Sequence, residues 1–490
     1  MPSREYSRRG ILLPSSAPLP VASNPPKVLE SEELPLAPPE HVLATLNPDG
    51  TRRWLAPRLA KGRFWQRRRV LAYGLIALFN LIPWIKIGGK PAVLLDVMHR
   101  HFTLFGLTFQ PTETVLVTTL FLVIFISIFL ATALFGRVWC GWGCPQTVYL
   151  EFLYRPLERL AEGKWHSKGR DAIPFGRKLL KYSLFLVVSV HLSHTFLAYF
   201  VGGTEVLHWS TISPTAHPTG FAIVWGTALL MMYDFSSFRE QMCTLACPYG
   251  RLQSALLDEH SIVIGYNKLR GEPRGKGKRG TEQTNALGDC VECSLCVAVC
   301  PTGIDIRDGL QMECVNCAEC IDACDSVMDR VGLERGLIRY ASENELAGKP
   351  RKVLRARTLI YSVVLVGLLG ALVALLGARE DTHVDVLRIR NLPFMVLGDG
   401  RVSNPVKLRI ENRLDTDRHY TVELQDPRFA SNPPQLEVQL AGQATAELTF
   451  TVMAPQEVFV GGQAKLGMIV SDGATFEATV ERLMLGPQVH

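Results

Sequence analysis

Outside one central stretch the sequence contains no cysteine, because all 12 cysteines lie between Cys140 and Cys324. It also contains no C-x-x-C-H haem-attachment motif and no flavin fingerprint. The first 50 residues hold no apolar run long enough for a signal peptide. These absences exclude disulfides in the carboxy-terminal region and a c-type cytochrome, and they count against a self-contained reductase with its own donor site.

Eight of the cysteines form two runs of the same spacing, C-x2-C-x2-C-x3-C. This spacing is typical of bacterial ferredoxins with two [4Fe–4S] clusters, in which three close thiolates bind one cluster and the fourth reaches the other. The predicted ligands are Cys290, Cys293, Cys296 and Cys324 for the first cluster, and Cys314, Cys317, Cys320 and Cys300 for the second. Zinc knuckles lack the third and fourth cysteines at this spacing, and disulfides require an oxidising compartment. Asp325 stands where a proline usually follows the second run, which removes no ligand.

Apolar residues are concentrated in blocks, although 20% of the 490 residues are charged. Five apolar segments are long enough, or nearly so, to span a bilayer, at 70–87, 114–136, 179–201, 219–236 and 357–377. The sequence therefore predicts a multi-domain membrane protein built on a five-span α-helical bundle.

The loop charges predict an orientation in a bacterial inner membrane. Lys and Arg are abundant in 52–69, 137–178 and 239–357, whereas 202–218 has none. By the positive-inside rule the amino terminus and all the cysteine motifs are cytoplasmic, and residues after about 377 are periplasmic. The basic segment 52–69 is followed at once by an apolar run, so we expect it to contact the membrane rather than nucleic acid.

Composition shifts along the chain predict five regions. Residues 1–50 are rich in proline and serine and are expected to be a disordered cytoplasmic segment. After residue 380, short stretches of alternating apolar and polar residues, such as 384–390, 406–410, 419–424 and 446–452, predict an immunoglobulin-like β-sandwich. The predicted order is a disordered segment (1–50), a four-span membrane region (51–258), a cytoplasmic bis-[4Fe–4S] ferredoxin-like insert (259–345), a fifth transmembrane helix (346–379) and a periplasmic all-β domain (380–490).

The remaining four cysteines form an internal repeat. Each of two predicted span pairs leads into a C-x3-C-P motif, at Cys140 and Cys144 and again at Cys243 and Cys247. Because proline favours the first turn of a helix, Cys144 and Cys247 are predicted at helix N-caps, where the helix dipole favours a thiolate. The duplication predicts that the two pairs face each other.

The residues leave the chemistry of these thiols open. Thiolates are soft ligands that select Cu(I), so a copper site is one interpretation. A third iron–sulfur cluster or a redox pair, and buried structural thiols, are the others. His191 and His194 share one face of the third span, where a quinone, haem or copper contact competes with ordinary hydrogen bonds to neighbouring helices.

From Asp96 to about Asn344 the sequence resembles the FixG/CcoG (RdxA) family of cytochrome oxidase accessory proteins, which are membrane-bound polyferredoxins. The shared motifs are W-C-G at 139–141, C-P-Q-T-V at 144–148, G-E-P-R-G at 271–275, C-P-T-G-I-D-I-R at 300–307, C-I-D-A-C at 320–324 and G-L-I-R-Y at 336–340. The resemblance implies an inner-membrane protein that reduces Cu(II) to Cu(I) for assembly of a cbb-type oxidase. It implies a copper-handling or redox role for Cys140, Cys144, Cys243 and Cys247 and cluster ligation by the eight ferredoxin cysteines.

The expected cofactors are thus two [4Fe–4S] clusters, with copper at the C-x3-C-P thiols. The expected partners are the lipid bilayer, an electron donor that the sequence does not identify, and the cbb-type oxidase or its copper-delivery proteins. Two other functions compete: a quinol-oxidising electron conduit to a periplasmic reductase, and a non-catalytic scaffold for oxidase assembly.

The predicted orientation can be tested with reporter fusions. Alkaline phosphatase fused after His490 is expected to be active, and the same enzyme fused after Gly280 inactive, because alkaline phosphatase needs the oxidising periplasm. Colony colour and immunoblots for equal expression provide the measurement. The reverse pattern would contradict the orientation.

Overall fold

The fold is taken from a computed structural model, which describes residues 44–487 apart from 48, 50, 99–100, 111, 164–171, 277–286, 388 and 390–393. Most of the segment predicted as disordered, residues 1–43, lies outside the described residues.

The membrane region consists of helices with short connections. They are α1 (Arg63–Leu81), α2 (Thr114–Phe135), α3 (Val138–Trp142), α4 (Pro145–Tyr149), α5 (Arg155–Glu162), α6 (Phe175–Val201), α7 (Gly203–Thr211), α8 (Pro218–Tyr233) and α9 (Pro248–Ala255). Wider π-helical turns join α4 to α5 at Leu150–Tyr154, extend α8 at Asp234–Phe238 and carry Cys243 at Met242–Ala246. Such turns are frequent at functional sites.

Among the described residues, four helices are long and apolar enough to cross a membrane: Thr114–Phe135, Phe175–Val201, Pro218–Phe238 and Ala356–Gly377. They correspond to the second to fifth predicted spans. The first predicted span overlaps α1. This helix carries Arg67, Arg68 and Arg69 and is not apolar enough to be counted with the four helices above. The count of five spans stays a prediction.

The ferredoxin-like region is small and irregular because its backbone wraps around the cysteines. Its elements are α10 (Lys268–Gly271), α11 (Leu295–Ala298), α12 (Glu319–Val331), α13 (Glu343–Leu346) and a two-stranded antiparallel sheet. The chain then enters α14 (Ala356–Gly377), which packs along α2.

Strands are numbered in chain order. Five short ones follow α1, namely β1 (Lys86–Ile87), β2 (Lys90–Pro91), β3 (Val93–Asp96), β4 (His101–Leu104) and β5 (Leu107–Phe109), and the ferredoxin sheet is β6 (Val263–Tyr266) with β7 (Ile338–Ala341). The carboxy-terminal strands are β8 (Thr382–Leu387), β9 (Met395–Val396), β10 (Arg401–Asn412), β11 (Arg418–Leu424), β12 (Ala430–Asn432), β13 (Glu437–Leu440), β14 (Thr445–Pro455), β15 (Gln463–Ser471) and β16 (Glu477–Leu485).

The carboxy-terminal domain is the β-sandwich that the sequence predicts. One sheet has the order β12-β14-β10-β8, with β9 also paired to β10, and the other has the order β13-β11-β15-β16. Alternate residues of β10 point inward, so that Val406, Leu408 and Ile410 are fully buried against Leu466 and Met468 of the second sheet. This alternation is the pattern of period two expected for half-buried strands.

The sandwich and the ferredoxin region contact opposite ends of α2. Just before its first residue, at what we call the sandwich end, Arg379 Nε donates to Glu113 Oε1 at 2.6 Å and Thr112 Oγ1 donates to Glu411 Oε2 at 2.7 Å. At its last residues, the ferredoxin end, Ser261 Oγ donates to the Ala133 carbonyl oxygen at 3.1 Å. One helix therefore separates the two water-exposed regions.

A close backbone contact joins the first C-x3-C-P motif to the ferredoxin region. A Cβ atom built on Gly141 would lie 2.5 Å from the Val315 carbonyl oxygen and 2.8 Å from that of Asn316. Arg68, which is fully buried, donates from Nε to the Gly141 carbonyl oxygen at 2.9 Å and from Nη1 to Glu319 Oε1 at 2.7 Å. Arg68, within the basic segment 52–69, therefore joins α1 to α3 and α12 inside the protein. That the rest of this segment contacts the membrane stays a prediction.

Gly141→Ala is expected to destabilise this junction by about 1–3 kcal/mol, because backbone atoms on the ferredoxin side cannot move aside for a methyl group. Thermal unfolding and limited proteolysis of the purified protein provide the measurement. Gly176→Ala in α6 is the matched control, because no atom lies within 4 Å of its added Cβ. Equal melting temperatures for the two variants would contradict the tight contact.

Candidate functional site

The eight ferredoxin cysteines gather around two cavities. Cys290, Cys293, Cys296 and Cys324 line one cavity. Cys300, Cys314, Cys317 and Cys320 line a second cavity, and Cys296 lines both. The structure thus brings together the same sets of four that the spacing predicts. That these residues ligate clusters stays a prediction.

The backbone turns in the same way in both runs. Glu292 and Ser294 have φ of 56° and 54°, and the equivalent residues Asn316 and Ala318 have φ of 56° and 64°. Because these left-handed residues alternate with right-handed ones, successive backbone N–H groups point toward one position. The resulting concavity can bind an anion. Each run therefore fits an anionic iron–sulfur cluster in both its thiols and its backbone.

Burial has a strong effect on the ferredoxin thiols. It raises the pKa of Cys296 and Cys314 to about 11 and the pKa of Cys324 to about 12. The pKa of Cys317 and that of Cys320 are raised well above the ordinary thiol value for the same reason. Without a cation these thiols stay protonated at neutral pH, and iron would provide the charge that holds them as thiolates.

Asp325 has its own hydrogen bonds in place of the missing proline. Its Oδ1 accepts from the Gly336 N–H at 3.0 Å, and its Oδ2 lies 3.5 Å from the Arg63 guanidinium. Because α12 continues through this position, the substitution ties the end of the second run to α1 and to the loop before β7.

The four C-x3-C-P thiols face one another at the ferredoxin end of the bundle. Cys140 lies in α3 and Cys243 in a π-helical turn, whereas Cys144 and Cys247 are the N-caps of α4 and α9, each with proline as the first helical residue. The N-cap positions are as the sequence predicts. The thiols of Cys140, Cys144 and Cys247 all lie within electrostatic range of Cys243.

The expectation that the helix N-terminus ionises Cys144 is wrong. Burial raises the pKa of this thiol, and the helix N–H groups of Gln146 and Thr147 lower it by less. Burial raises the pKa of Cys140 as well, and that of Cys243 to about 12. Within the described residues, no three Cys, His, Asp or Glu side chains approach closely enough to hold a single metal ion.

Polar side chains surround Cys140. Its Sγ donates to Gln253 Oε1 at 3.0 Å, and Gln253 Nε2 donates in turn to Tyr249 Oη at 2.8 Å. The Arg137 guanidinium lies 3.9 Å from Cys140 Sγ and also donates to Ser254 and to the Met312 carbonyl oxygen. Arg137 is 3% exposed, so its charge acts in a poorly screened environment.

The thiol group lies directly against the second cluster cavity. Cys140, Val315 and Cys317 form one buried cluster, with Cys243 and Tyr249 packed at its edge. Cys317 is a predicted cluster ligand and Cys140 belongs to the first C-x3-C-P pair. The cysteine spacing did not predict this contact, because it arises from the Gly141 approach between segments 174 residues apart in sequence (315 − 141).

The sequence analysis assigned no role to the buried charges near the two motifs. Arg137 and Arg239 each stand shortly before a C-x3-C-P motif, and both are buried. Arg239 Nη2 donates to Glu158 Oε2 at 2.5 Å, and Lys181 Nζ donates to Glu158 Oε1 at 3.0 Å. The signal available was an arginine three or four residues before the first cysteine of each motif.

His191 and His194 do not converge on one point. His191 Nε2 is 2.9 Å from Asn80 Oδ1, whereas His194 Nδ1 is 2.8 Å from the Val190 carbonyl oxygen. His194 also lines a cavity near the sandwich end with Trp209 and His217. The structure therefore gives the pair separate hydrogen-bond partners and no shared ligand position.

Three family models match parts of this chain. Residues 238–343 match the 4Fe-4S dicluster domain, and residues 117–168 match a 4Fe-4S binding domain. Residues 372–487 match the model described as the IG-like fold at the C-terminal of FixG. With the apolar helices described above, these matches define a membrane-bound iron–sulfur electron-transfer protein.

Three curated relatives align over most of the chain. Protein RdxA of Cereibacter sphaeroides is 36% identical over 429 residues, which are 82% of this chain and 89% of the relative. Protein RdxB of the same organism is 33% identical, and the alignment covers 89% of this chain and 94% of RdxB. The nitrogen fixation protein FixG of Rhizobium meliloti is 34% identical, and the alignment covers 81% of this chain and 82% of FixG. The chain belongs to the FixG/RdxA family.

Among solved structures, a FixG-related protein from Vibrio parahaemolyticus aligns over 22% of this chain and 98% of its own, with 17% identity and a TM-score of 0.20. The cupredoxin domain of amoB from Nitrosocaldus yellowstonii covers 18% of this chain and 57% of its own, with 11% identity and a TM-score of 0.15.

Arg137→Gln is expected to lower the reduction potential of the second cluster, because removing a buried positive charge favours the oxidised state. The expected shift is on the order of 60 mV, which is a tenfold change in a one-electron equilibrium. EPR-monitored redox titration measures it. Arg137→Lys keeps the charge and is expected to keep most of the potential. An unchanged potential in the Gln variant, with both clusters present, would contradict this role.

Proposed function

We propose that this protein reduces Cu(II) to Cu(I) at the thiols of Cys140, Cys144, Cys243 and Cys247, for assembly of a cbb-type haem–copper oxidase. The observation that supports this most strongly is the buried cluster that contains Cys140, Val315 and Cys317. Val315 and Cys317 also line the second cysteine cavity, so the thiols lie beside the proposed position of the second cluster. Copper is the substrate in this proposal, and one electron per ion is transferred.

The proposal assigns each set of cysteines a separate task. Cys290, Cys293, Cys296 and Cys324 hold one [4Fe–4S] cluster, and Cys314, Cys317, Cys320 and Cys300 hold the other. When bound, clusters of this kind supply electrons one at a time. Cys140, Val315 and Cys317 are buried in one cluster, against which Tyr249 packs.

The chemistry of the four thiols suits the proposed substrate. Thiolate sulfur is a soft donor that favours Cu(I) over harder divalent ions. Because burial keeps Cys140, Cys144 and Cys243 protonated, metal binding must displace their protons. Cu(I) is satisfied by few ligands, so a pair of these thiols is enough, and no preformed cage of three is needed.

The sidedness of the protein forms part of the proposal. We place the ferredoxin end in the cytoplasm and the sandwich in the periplasm, from the distribution of Lys and Arg. The sandwich then faces the compartment where a haem–copper oxidase or its copper carrier would contact it. The printed name of one relative, the nitrogen fixation protein FixG, indicates a nitrogen-fixation context for that relative.

A second candidate is a third [4Fe–4S] cluster held by the same four cysteines. A specific observation favours it: the 4Fe-4S model that matches residues 117–168 covers only two cysteines, Cys140 and Cys144. A cluster also needs more widely spaced thiols than a single ion does. In that case the site relays electrons, and copper or another acceptor binds elsewhere.

Removal of Cys243 and Cys247, both as serine, separates the two candidates. If copper is the substrate, the anaerobically purified protein contains about eight irons. The double variant keeps them and both EPR signals but loses Cu(II) reduction, measured with a Cu(I)-specific chelator and dithionite as donor. A third cluster instead gives about twelve irons, falling to about eight in the variant.

Thr244→Ser is the matched control, because it lies between the two cysteines and keeps the hydroxyl that donates to the Glu240 carbonyl oxygen. Copper reduction at the wild-type rate in the double serine variant would rule out these thiols as the reduction site.

A further inference from the structure

The side chain of Gln253 is held in one orientation by its neighbours. Gln253 lies in α9 and is 2% exposed. Its Nε2 donates to Thr132 Oγ1 at 3.0 Å and to Tyr249 Oη at 2.8 Å. The Thr132 hydroxyl donates its own hydrogen to the Ile128 carbonyl oxygen at 2.8 Å. Thr132 therefore has no hydrogen left to give, so the amide nitrogen of Gln253, and not its oxygen, must face it.

This orientation points the carboxamide oxygen of Gln253 at Cys140. The Cys140 thiol donates to Oε1 at 3.0 Å, and both side chains are buried. The contact is favourable as long as the thiol carries its hydrogen. A cysteine that binds a metal ion has lost that hydrogen. Two buried acceptors would then face each other, which is costly unless a cation lies between them.

The cation that fits between these two atoms is the copper ion of the proposed function. With bond lengths typical of zinc sites, about 2.3 Å to sulfur and about 2.1 Å to oxygen, one metal ion would hold the two atoms roughly 3.1–3.6 Å apart. The present separation of 3.0 Å needs only a small adjustment to reach that range. We propose that Gln253 Oε1 is a ligand of Cu(II), beside Cys140 Sγ and one more C-x3-C-P thiol. Cys144 and Cys247 are both within electrostatic range of Cys140.

An oxygen ligand supplies what the cysteines alone do not. In the part of the chain that the structure describes, no three Cys, His, Asp or Glu side chains come close enough to hold one metal ion. Cu(II) favours nitrogen and oxygen ligands, whereas Cu(I) favours sulfur. Two thiolates and one amide oxygen therefore accept both oxidation states, and the oxygen serves only the divalent ion. This inference rests on the proposed function, because it completes the same copper site.

The charge of Arg137 favours reduction at this set of ligands. Its guanidinium is 3.9 Å from Cys140 Sγ, and the side chain is 3% exposed. With two thiolates and a neutral oxygen, Cu(II) and the guanidinium leave one net positive charge, which the arriving electron removes. In a poorly screened environment this neutralisation is favourable. A carboxylate in place of the Gln253 amide would cancel the charge beforehand and weaken the preference for Cu(I).

The step involves one electron and one metal–ligand bond. When Cu(II) binds, the protons of the two ligating thiols pass to water. One electron from a reductant, dithionite in the experiments below, converts Cu(II) to Cu(I). The bond between copper and Gln253 Oε1 then breaks, and Cu(I) stays on the two sulfur atoms. No covalent bond of the protein changes.

Zn²⁺ and Cu(I) are the probes for the test, because Zn²⁺ is a divalent ion that cannot be reduced at the site. Competition with chromogenic chelators gives both affinities for the full-length, cluster-loaded protein in detergent. Gln253→Leu is expected to weaken Zn²⁺ binding about tenfold or more, because it removes the oxygen ligand. The same variant is expected to change the Cu(I) affinity by less than about twofold, because Cu(I) is held by sulfur.

Gln253→Met separates a ligand role from a packing role. Methionine has nearly the length of glutamine and carries a thioether sulfur, which is a soft ligand. This variant is expected to weaken Zn²⁺ binding as Gln253→Leu does and to strengthen Cu(I) binding. A side chain that served only to pack α9 would not move the two affinities in opposite directions. Both cluster EPR signals show that each variant is folded.

Leu252→Ala is the matched control, because Leu252 precedes Gln253 in α9 and is exposed. Cys140→Ser identifies the site, because it removes the thiol that Oε1 faces. The proposal is overturned if Zn²⁺ binding to the wild-type protein does not depend on Cys140. It is also overturned if Gln253→Leu binds Zn²⁺ as tightly as Leu252→Ala, or if it weakens Zn²⁺ and Cu(I) equally.

Copper reduction driven by dithionite distinguishes this inference from the proposed function. If the wild-type protein reduces Cu(II) but the Gln253 variants keep the wild-type Zn²⁺ affinity, only the ligand role of Gln253 falls. If the wild-type protein does not reduce Cu(II), or contains about twelve irons, the proposed function falls as well.

Discussion

The arrangement depends on the steric constraint at Gly141. Only a residue without a side chain lets α3 approach the Val315 and Asn316 carbonyl groups this closely. The approach brings Cys140 into one buried cluster with Val315 and Cys317 and lets the buried Arg68 bridge both segments through Gly141 and Glu319. The membrane helices and the ferredoxin region therefore act as one unit at this end, and the distance between the thiols and the second cysteine cavity is fixed by packing.

Burial, rather than the helix dipole, governs the thiols in this unit. The N-cap positions of Cys144 and Cys247 were readable from C-x3-C-P, yet the pKa of Cys144 is raised, because removal from water outweighs two backbone hydrogen bonds. The same balance holds for Cys296 and Cys314. At both groups, a bound metal ion or cluster would supply the positive charge that buried thiols need to ionise together.

The features that depend on neighbouring residues in the sequence were predictable from it. Apolar length gave α2, α6, α8 and α14 to within a few residues, strand alternation gave the main strands of the sandwich, and the cysteine spacing gave the two sets of four. The contacts that make a site were not predictable in this way. The grouping of Cys140 with Cys317, the place of Arg137 and the buried charges of Arg239 and Glu158 join segments far apart in sequence, and no periodicity records such pairings.

The position of the sandwich has a consequence for transport. The thiols lie at one end of α2 and the Glu113–Arg379 contact of the sandwich at the other. A helix of 22 residues is about 33 Å long, roughly the thickness of the apolar layer of a bilayer. If Cu(II) is reduced at these thiols, as we propose, the Cu(I) formed there lies at the opposite end of α2 from the sandwich. A separate protein would then have to carry the ion across the lipid before the sandwich could meet it.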